Sequence, residues 1–134
     1  MAGRDDFTAI PGGLPGAETR GILLYEGAAA GRISLSDVCR VLSENPAKLY
    51  GMWPRKGALL PGSDADIVVL DPEKDSIITA DNLISKAGYT PFEGKKCRGR
   101  IQQVWLRGNL MMENGKLLKE NTGKYIHRKK GTLE

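Results

Sequence analysis

Apolar and polar positions along the chain follow two rhythms, and the change falls near Gly51. Between Glu18 and Ala30, Ile22, Leu23, Tyr25 and Ala29 recur at spacings that share one side of a helix, and Gly31 supplies a C-terminal stop. Leu35, Val38, Val41 and Leu42 form a second helical stripe. Ser34 stands before that stripe as an N-cap, with Asp37 placed to complete a capping box. Asn45-Pro46 predicts the start of a third, short helix running to Tyr50 and stopping at Gly51, because proline is well tolerated in a first helical turn.

Beyond Gly51 the period shortens to two. Ile67-Val68-Val69-Leu70, bounded by Asp66 and Asp71-Pro72, predicts a buried strand, and Ser76 to Thr79 a further one. Ile101 to Arg107 alternates, with Ile101, Gln103 and Trp105 on one side. Gly108-Asn109 and Asn114-Gly115 predict two tight turns around Leu110-Met111-Met112-Glu113, with Lys116 to Leu118 returning after the second. Residues 86–98 read as a loop. From Met1 to Gly16, prolines 11 and 15 and glycines 3, 12, 13 and 16 exclude regular structure and leave an extended loop. A loop this long is out of place at the start of a compact domain and would be natural if it continued from an upstream element. The tail from Asn121 to Glu134 is polar and basic, predicted mobile or docked on a neighbouring subunit.

Composition narrows this picture. The 134 residues, 40% hydrophobic and 27% charged, suit an ordinary globular domain. No apolar run approaches the roughly 20 residues that cross a bilayer, and the first residues have no apolar secretory core. Cys39 and Cys97 are far apart and match no metal-finger spacing, so reduced thiols in a cytoplasm are expected. Net charge is +4, and from Lys95 to Lys130 eleven Lys/Arg face only Glu113 and Glu120. No recognition helix, finger or aromatic sheet motif accompanies that charge, so a solvated edge or subunit surface is expected rather than a nucleic-acid site.

Candidate chemistry is sparse. His127, the single histidine, has no carboxylate near it in sequence to build a Ser-His-Asp arrangement, and one histidine with two separated cysteines does not make a zinc site. Gly12-Gly13 follows no clear strand and precedes no Lys-Ser/Thr, which excludes a P-loop. Asp64 and Asp66 sit in a turn and read as shaping it or blocking edge pairing. From spacing and composition alone the chain is an α+β domain of open role.

Several runs taken together nevertheless resemble one family. They are Asp6-Phe7-Thr8-Ala9-Ile10-Pro11-Gly12-Gly13-Leu14-Pro15-Gly16-Ala17-Glu18-Thr19-Arg20, Gly31 to Leu35, Asn45-Pro46-Ala47-Lys48-Leu49-Tyr50-Gly51, Lys56-Gly57, Pro61 to Val69, Tyr89-Thr90-Pro91-Phe92-Glu93-Gly94 and Val104 to Gly108. In order and spacing they resemble the carboxyl-terminal part of the amidohydrolase superfamily, in its cyclic-amidase branch, and are most similar to hydantoinases and dihydropyrimidinases. The resemblance covers nearly the whole chain. The first run narrows it to cyclic amidases.

This resemblance implies an α+β chain in which residues 1–51 are the last loop and helices of a (β/α)8 metal-dependent hydrolase barrel. Residues 52–120 would be carboxyl-terminal strands of a small β-sandwich built from both chain ends, and 121–134 a basic tail. It implies opening of the cyclic amide C–N bond of hydantoins or dihydropyrimidines by metal-activated hydroxide, with allantoinase or dihydroorotase chemistry as the alternative. Two divalent metals, usually zinc, would be held by histidines, a carboxylated lysine and an aspartate upstream of Met1. No catalytic residue and no metal ligand maps onto this chain, so it is expected to be inactive alone. A non-catalytic module completing a barrel supplied by a partner chain stays open. The family tends to homotetramers, which implies a homo-oligomer. One position carries over: the family's substrate-binding Asn after Ile-Pro, which acts through its backbone, falls on Gly12. A backbone contact survives loss of the side chain, and glycine lets the main chain approach closely.

Overall fold

The computed structural model describes residues 5–10 and 12–131. Helices fill the first part and strands the second. Helix α1 spans Arg20–Ala29. Helix α2, Leu35–Cys39, passes through a π-helical turn, Arg40–Glu44, into α3, Asn45–Leu49. Strands β1 (Ile67–Asp71), β4 (Arg100–Leu106), β5 (Asn109–Glu113) and β6 (Lys116–Leu117) form one antiparallel sheet in the order β1-β4-β5-β6. Strands β2 (Ser76–Ile78) and β3 (Lys95–Cys97) form a second, antiparallel pair.

Local chemistry accounts for the helix ends. Gly31 adopts φ +71° after α1, and its N–H bonds the Ala28 carbonyl at 2.9 Å. Ser34 and Asp37 form the predicted capping box: the Ser34 Oγ accepts the Asp37 N–H at 3.0 Å, and the Asp37 carboxylate accepts the Ser34 N–H at 3.1 Å. The Ser34 hydroxyl, which donates to the Asp37 carboxylate at 2.6 Å, then the Arg40 guanidinium and the Ser34 N–H, pull the Asp37 carboxyl down to about 2.

The predicted third helix is present as α3, Asn45–Leu49 with Pro46 in its first turn, but it is joined to α2 without a break. Residues 35–49 run on as one helical path, because Arg40, Glu44 and Asn45 all keep right-handed helical angles. The Asn45 N–H bonds the Arg40 carbonyl five residues back, a π-turn placed just before Pro46. Proline has no N–H to give and its ring crowds the carbonyl four residues earlier, so the widened turn lets the path continue through it. The predicted stripe is also only partly covered. Val38 is buried, while Leu35 and Val41 are 60% and 57% exposed.

In the strand region the turns follow from sequence, with one slip of register. Asn114 and Gly115 both take positive φ, 50° and 84°, and close β5 onto β6. The preceding turn is centred on Arg107-Gly108 (φ 48° and 74°), one residue earlier than predicted, which leaves Asn109 in β5 opposite Leu106. Strand β1 is present but not buried as predicted. Ile67, Val68 and Val69 are 36%, 60% and 38% exposed, because β1 is an edge of its sheet and no described element covers it. Strand β3 falls inside the expected loop; Lys95-Lys96 carry no β pattern, and only pairing with β2 makes them strand.

The core lies where α1 crosses the β2–β3 pair. Ile22, Ile78 and Cys97 are buried there, with Leu23, Tyr25, Leu70 and Phe92 packed around them. Burying each large side chain contributes roughly 1.5–3 kcal/mol. Gly99, at φ +80°, must lack a side chain, since a Cβ would stand 2.5 Å from the Tyr25 ring. The tail docks on its own chain: the Lys129 N–H bonds the Gly51 carbonyl at 2.9 Å, and Gly131 packs so closely on the Leu49 carbonyl that a Cβ would collide with it. Gly51, at φ +67°, leaves no room for a side chain against Lys129. Lys129 and Gly131 of the basic tail thus lie against the end of α3 in the same chain.

Candidate functional site

Gly12, the one substrate-binding position expected from sequence, lies in an exposed bend between a short 3-10 turn, Phe7–Ala9, and α1. Asp6 starts the 3-10 turn by accepting the Thr8 N–H at 2.9 Å and the Thr8 hydroxyl at 2.7 Å, and the bonds lower its carboxyl pKa. Pro11 lies outside the described residues. A Cβ built on Gly12 meets nothing within 4 Å, and its backbone is not in the left-handed region. The close approach expected of glycine is therefore not used by the fold itself: a larger residue fits here. Among the described residues no hydrogen bond engages the Gly12 N–H or carbonyl.

The segment after Gly12 is held firmly. The Tyr89 hydroxyl donates to the Gly13 carbonyl at 2.7 Å. The Gly16 carbonyl accepts the Arg20 N–H at 3.1 Å and faces the hydroxyl of Thr19, which is 1% exposed. The Glu18 carboxylate accepts the N–H groups of Ile84, at 2.9 Å, and Ser85, at 3.2 Å. Leu14 to Glu18 and Leu83 to Ser85 thereby line a shallow apolar groove beside the bend.

Sequence reasoning missed Tyr89, which reaches 76 residues back along the chain to touch Gly13. The run Tyr89-Thr90-Pro91-Phe92-Glu93-Gly94 carries part of the family resemblance, but its role in the fold is tertiary. Phe92 packs on the core, Thr90 is buried, and the Glu93 carboxylate accepts the Ala80 N–H at 2.8 Å.

The Lys56-Gly57 and Asp64-Ala65-Asp66 runs also meet. Lys56 pairs with Asp64 at 2.9 Å and with Asp66, whose other oxygen accepts the Arg107 N–H at 2.8 Å. Burial alone would lower the Lys56 pKa, but the bonds from Asp66 and Asp64 outweigh it and raise it; the Lys56 bond likewise lowers Asp64. The two acids thus clamp the entry to β1 rather than face one another as an acid–base pair. Gly57, at φ +79°, presses on the π-turn and α3: a Cβ would stand 2.6 Å from the Ser43 carbonyl oxygen and 2.7 Å from the Ala47 Cβ.

His127 is exposed, with its ring 4.9 Å from that of Tyr125, edge-on. Cys39 is exposed and Cys97 buried, both as free thiols; burial pushes the Cys97 thiol pKa up, helped by the Glu26 charge. Among the described residues no group of three His, Cys, Asp or Glu converges as metal ligands, so these residues do not fit a two-metal centre. No helix among them is long and apolar enough to cross a membrane.

The fold as a whole has known counterparts. Residues 6–111 match the amidohydrolase family, and the chain belongs to that family. Within it, the relatives are consistent. A D-hydantoinase from Ralstonia pickettii is 42% identical over 129 residues, which cover 96% of this chain and 28% of that protein. A D-phenylhydantoinase of Escherichia coli O1:K1 is 41% identical over 94% of this chain. A solved D-hydantoinase superposes with a TM-score of 0.90 at 40% identity, and a dihydropyrimidinase from Brevibacillus agri NCHU1002 with 0.91 at 37%. Each superposition covers 98% of this chain and 29% of the other. The mixed helix-and-strand fold class expected from sequence is therefore that of part of a hydantoinase, and the chain spans somewhat over a quarter of the length of these relatives.

Proposed function

We propose that this chain is the carboxyl-terminal part of a cyclic amide hydrolase of the hydantoinase and dihydropyrimidinase kind, opening a ring C–N bond of a hydantoin or dihydropyrimidine. The observation that carries the reading is the 42% identity to a D-hydantoinase over 96% of the chain. In this reading residues 1–51 are the last loop and helices of a barrel, 52–120 strands of a β-sandwich, and 121–134 a basic tail. The Gly12 backbone offers an N–H and a carbonyl to the ring amide. Those two groups match the donor and acceptor pattern of a cyclic amide at any side chain, so glycine and asparagine serve alike.

Family chemistry is metal-dependent, and the two divalent ions, zinc by resemblance, would be bound by residues outside those of this chain. The chain alone is then inactive, and its contribution is to bind and orient the ring. Assembly as a homo-oligomer belongs to the same reading. The names of the relatives favour hydantoins over allantoin or dihydroorotate.

The test is a hybrid enzyme in which this chain replaces the matching segment of the Ralstonia pickettii D-hydantoinase. Hydrolysis of 5-substituted hydantoins by the hybrid, with none by the 134-residue chain, is the expected result. Hydrolysis of allantoin or dihydroorotate instead would move the substrate. A folded, metal-loaded hybrid inert toward all of them would remove the reading.

A further inference from the structure

We infer that Tyr89 is a positioning residue for substrate binding, bracing the Gly12 bend through the Gly13 carbonyl; this rests on the reading of Gly12 as a substrate contact. The inference starts from where Tyr89 is anchored. Thr90, next in the chain, is 7% exposed, and its hydroxyl accepts the Phe92 N–H at 3.3 Å. Phe92 packs against Ile22, Ile78 and Cys97, and the Gly94 N–H bonds the Ile78 carbonyl at 2.8 Å. The arm that ends in the Tyr89 hydroxyl is therefore rooted in the core.

A second tie closes the circuit. The Glu18 carboxylate, beyond the bend, holds the N–H groups of Ile84 and Ser85 on the same segment as Tyr89. Residues 13 and 18 are thus both clipped to residues 84–89, and the chain between them spans a fixed gap. A phenol suits a brace because two torsions separate its oxygen from the backbone, so little freedom is lost in holding it. The bond holds the Gly13–Leu14 peptide plane, which meets the Gly12–Gly13 plane only through the φ and ψ of Gly13, so fixing it narrows, through that one hinge, the directions open to the Gly12 carbonyl. Among the described residues nothing bonds Gly12 itself, so the exposed bend depends on that neighbour for its geometry.

The test uses Tyr89→Phe, which removes one oxygen and keeps the ring in place. In the 134-residue chain, NMR order parameters at Gly12 and Gly13 are expected to fall from the rigid range near about 0.85 toward about 0.6, with the helices unchanged. Order parameters that stay equal to wild type would overturn the brace. In the hybrid enzyme, Tyr89→Phe is expected to raise KM about fivefold with kcat and metal content kept, the pattern of lost binding common to ground and transition states. An unchanged KM, or a loss confined to kcat, would overturn the positioning role. An inactive parent hybrid strikes at the hydantoinase reading instead, while the order parameters still decide the brace.

Discussion

The two sheets differ in a way their sizes do not suggest. The three-residue strands β2 and β3 carry Ile78 and Cys97, 5% and 2% exposed, at the centre of the core under α1. The four-stranded sheet has the longer ladders but contributes no fully buried residue, and three residues of β1 stand open to solvent. The small pair is held by the elements that cover it. The large sheet is held by its turns, its ladder and side-chain bonds such as Gln103 Nε2 to Glu113 at 2.8 Å and Trp105 Nε1 to Gln103 at 3.1 Å. Strand length is therefore a poor guide to where a fold keeps its stability, because burial and not pairing contributes most of it.

Substitutions sharpen this contrast. The largest effect is expected at the joint between helices and strands. Gly57→Ala forces a side chain against the Ser43 carbonyl at positive φ, and a loss above about 3 kcal/mol, read as a collapse in the urea midpoint, is expected. Next, Ile78→Ala in the small pair should cost roughly 2–5 kcal/mol, whereas Val68→Ala in β1 should cost under about 1. Equal losses at the two sites would break the comparison.

Ser34→Ala removes the cap of α2 and is expected to cost about 1 kcal/mol. The cap also has a pH signature. The folded-state pKa of Asp37 is about 2, below the unfolded carboxylate value near about 4, so its stabilisation is complete above about pH 4 and disappears as pH falls toward about 2. Asp64, Glu26 and Asp71 are lowered too and act in the same sense. A thermal melting series from about pH 6 to about pH 2 should fall throughout that lower window, and Ser34→Ala should flatten it. The smallest effect is expected from Gly12→Asn. The open space around Gly12 and its ordinary φ predict a stability change within about 0.5 kcal/mol.

Much of this is legible in particular residues. Ser34 with Asp37, Gly31, and Asn114-Gly115 do in the fold what their chemistry dictates locally, and the resemblance places the chain among cyclic amidases. Sequence and structure part where local chemistry meets a distant neighbour. Pro46 signals a helix start, and α3 does begin at Asn45, but nothing local announces the π-turn that joins it to α2. The apolar β1 run signals burial, but hydrophobicity does not state which edge a strand will occupy. Tyr89 has no local signature at all, because its partner lies at Gly13.

The sequence by itself determined the α2 cap, the Asn114-Gly115 turn, the change from helical to strand rhythm, and family membership, since each depends on residues a few positions apart or on whole motifs. Only the tertiary structure decided that Lys56 meets Asp64 and Asp66, that the tail closes on Gly51, and that Tyr89 grips the Gly12 bend. Those contacts join segments brought together by burying Ile22, Ile78 and Cys97, and burial is non-directional: it selects partners by shape and space, which no short stretch of sequence encodes.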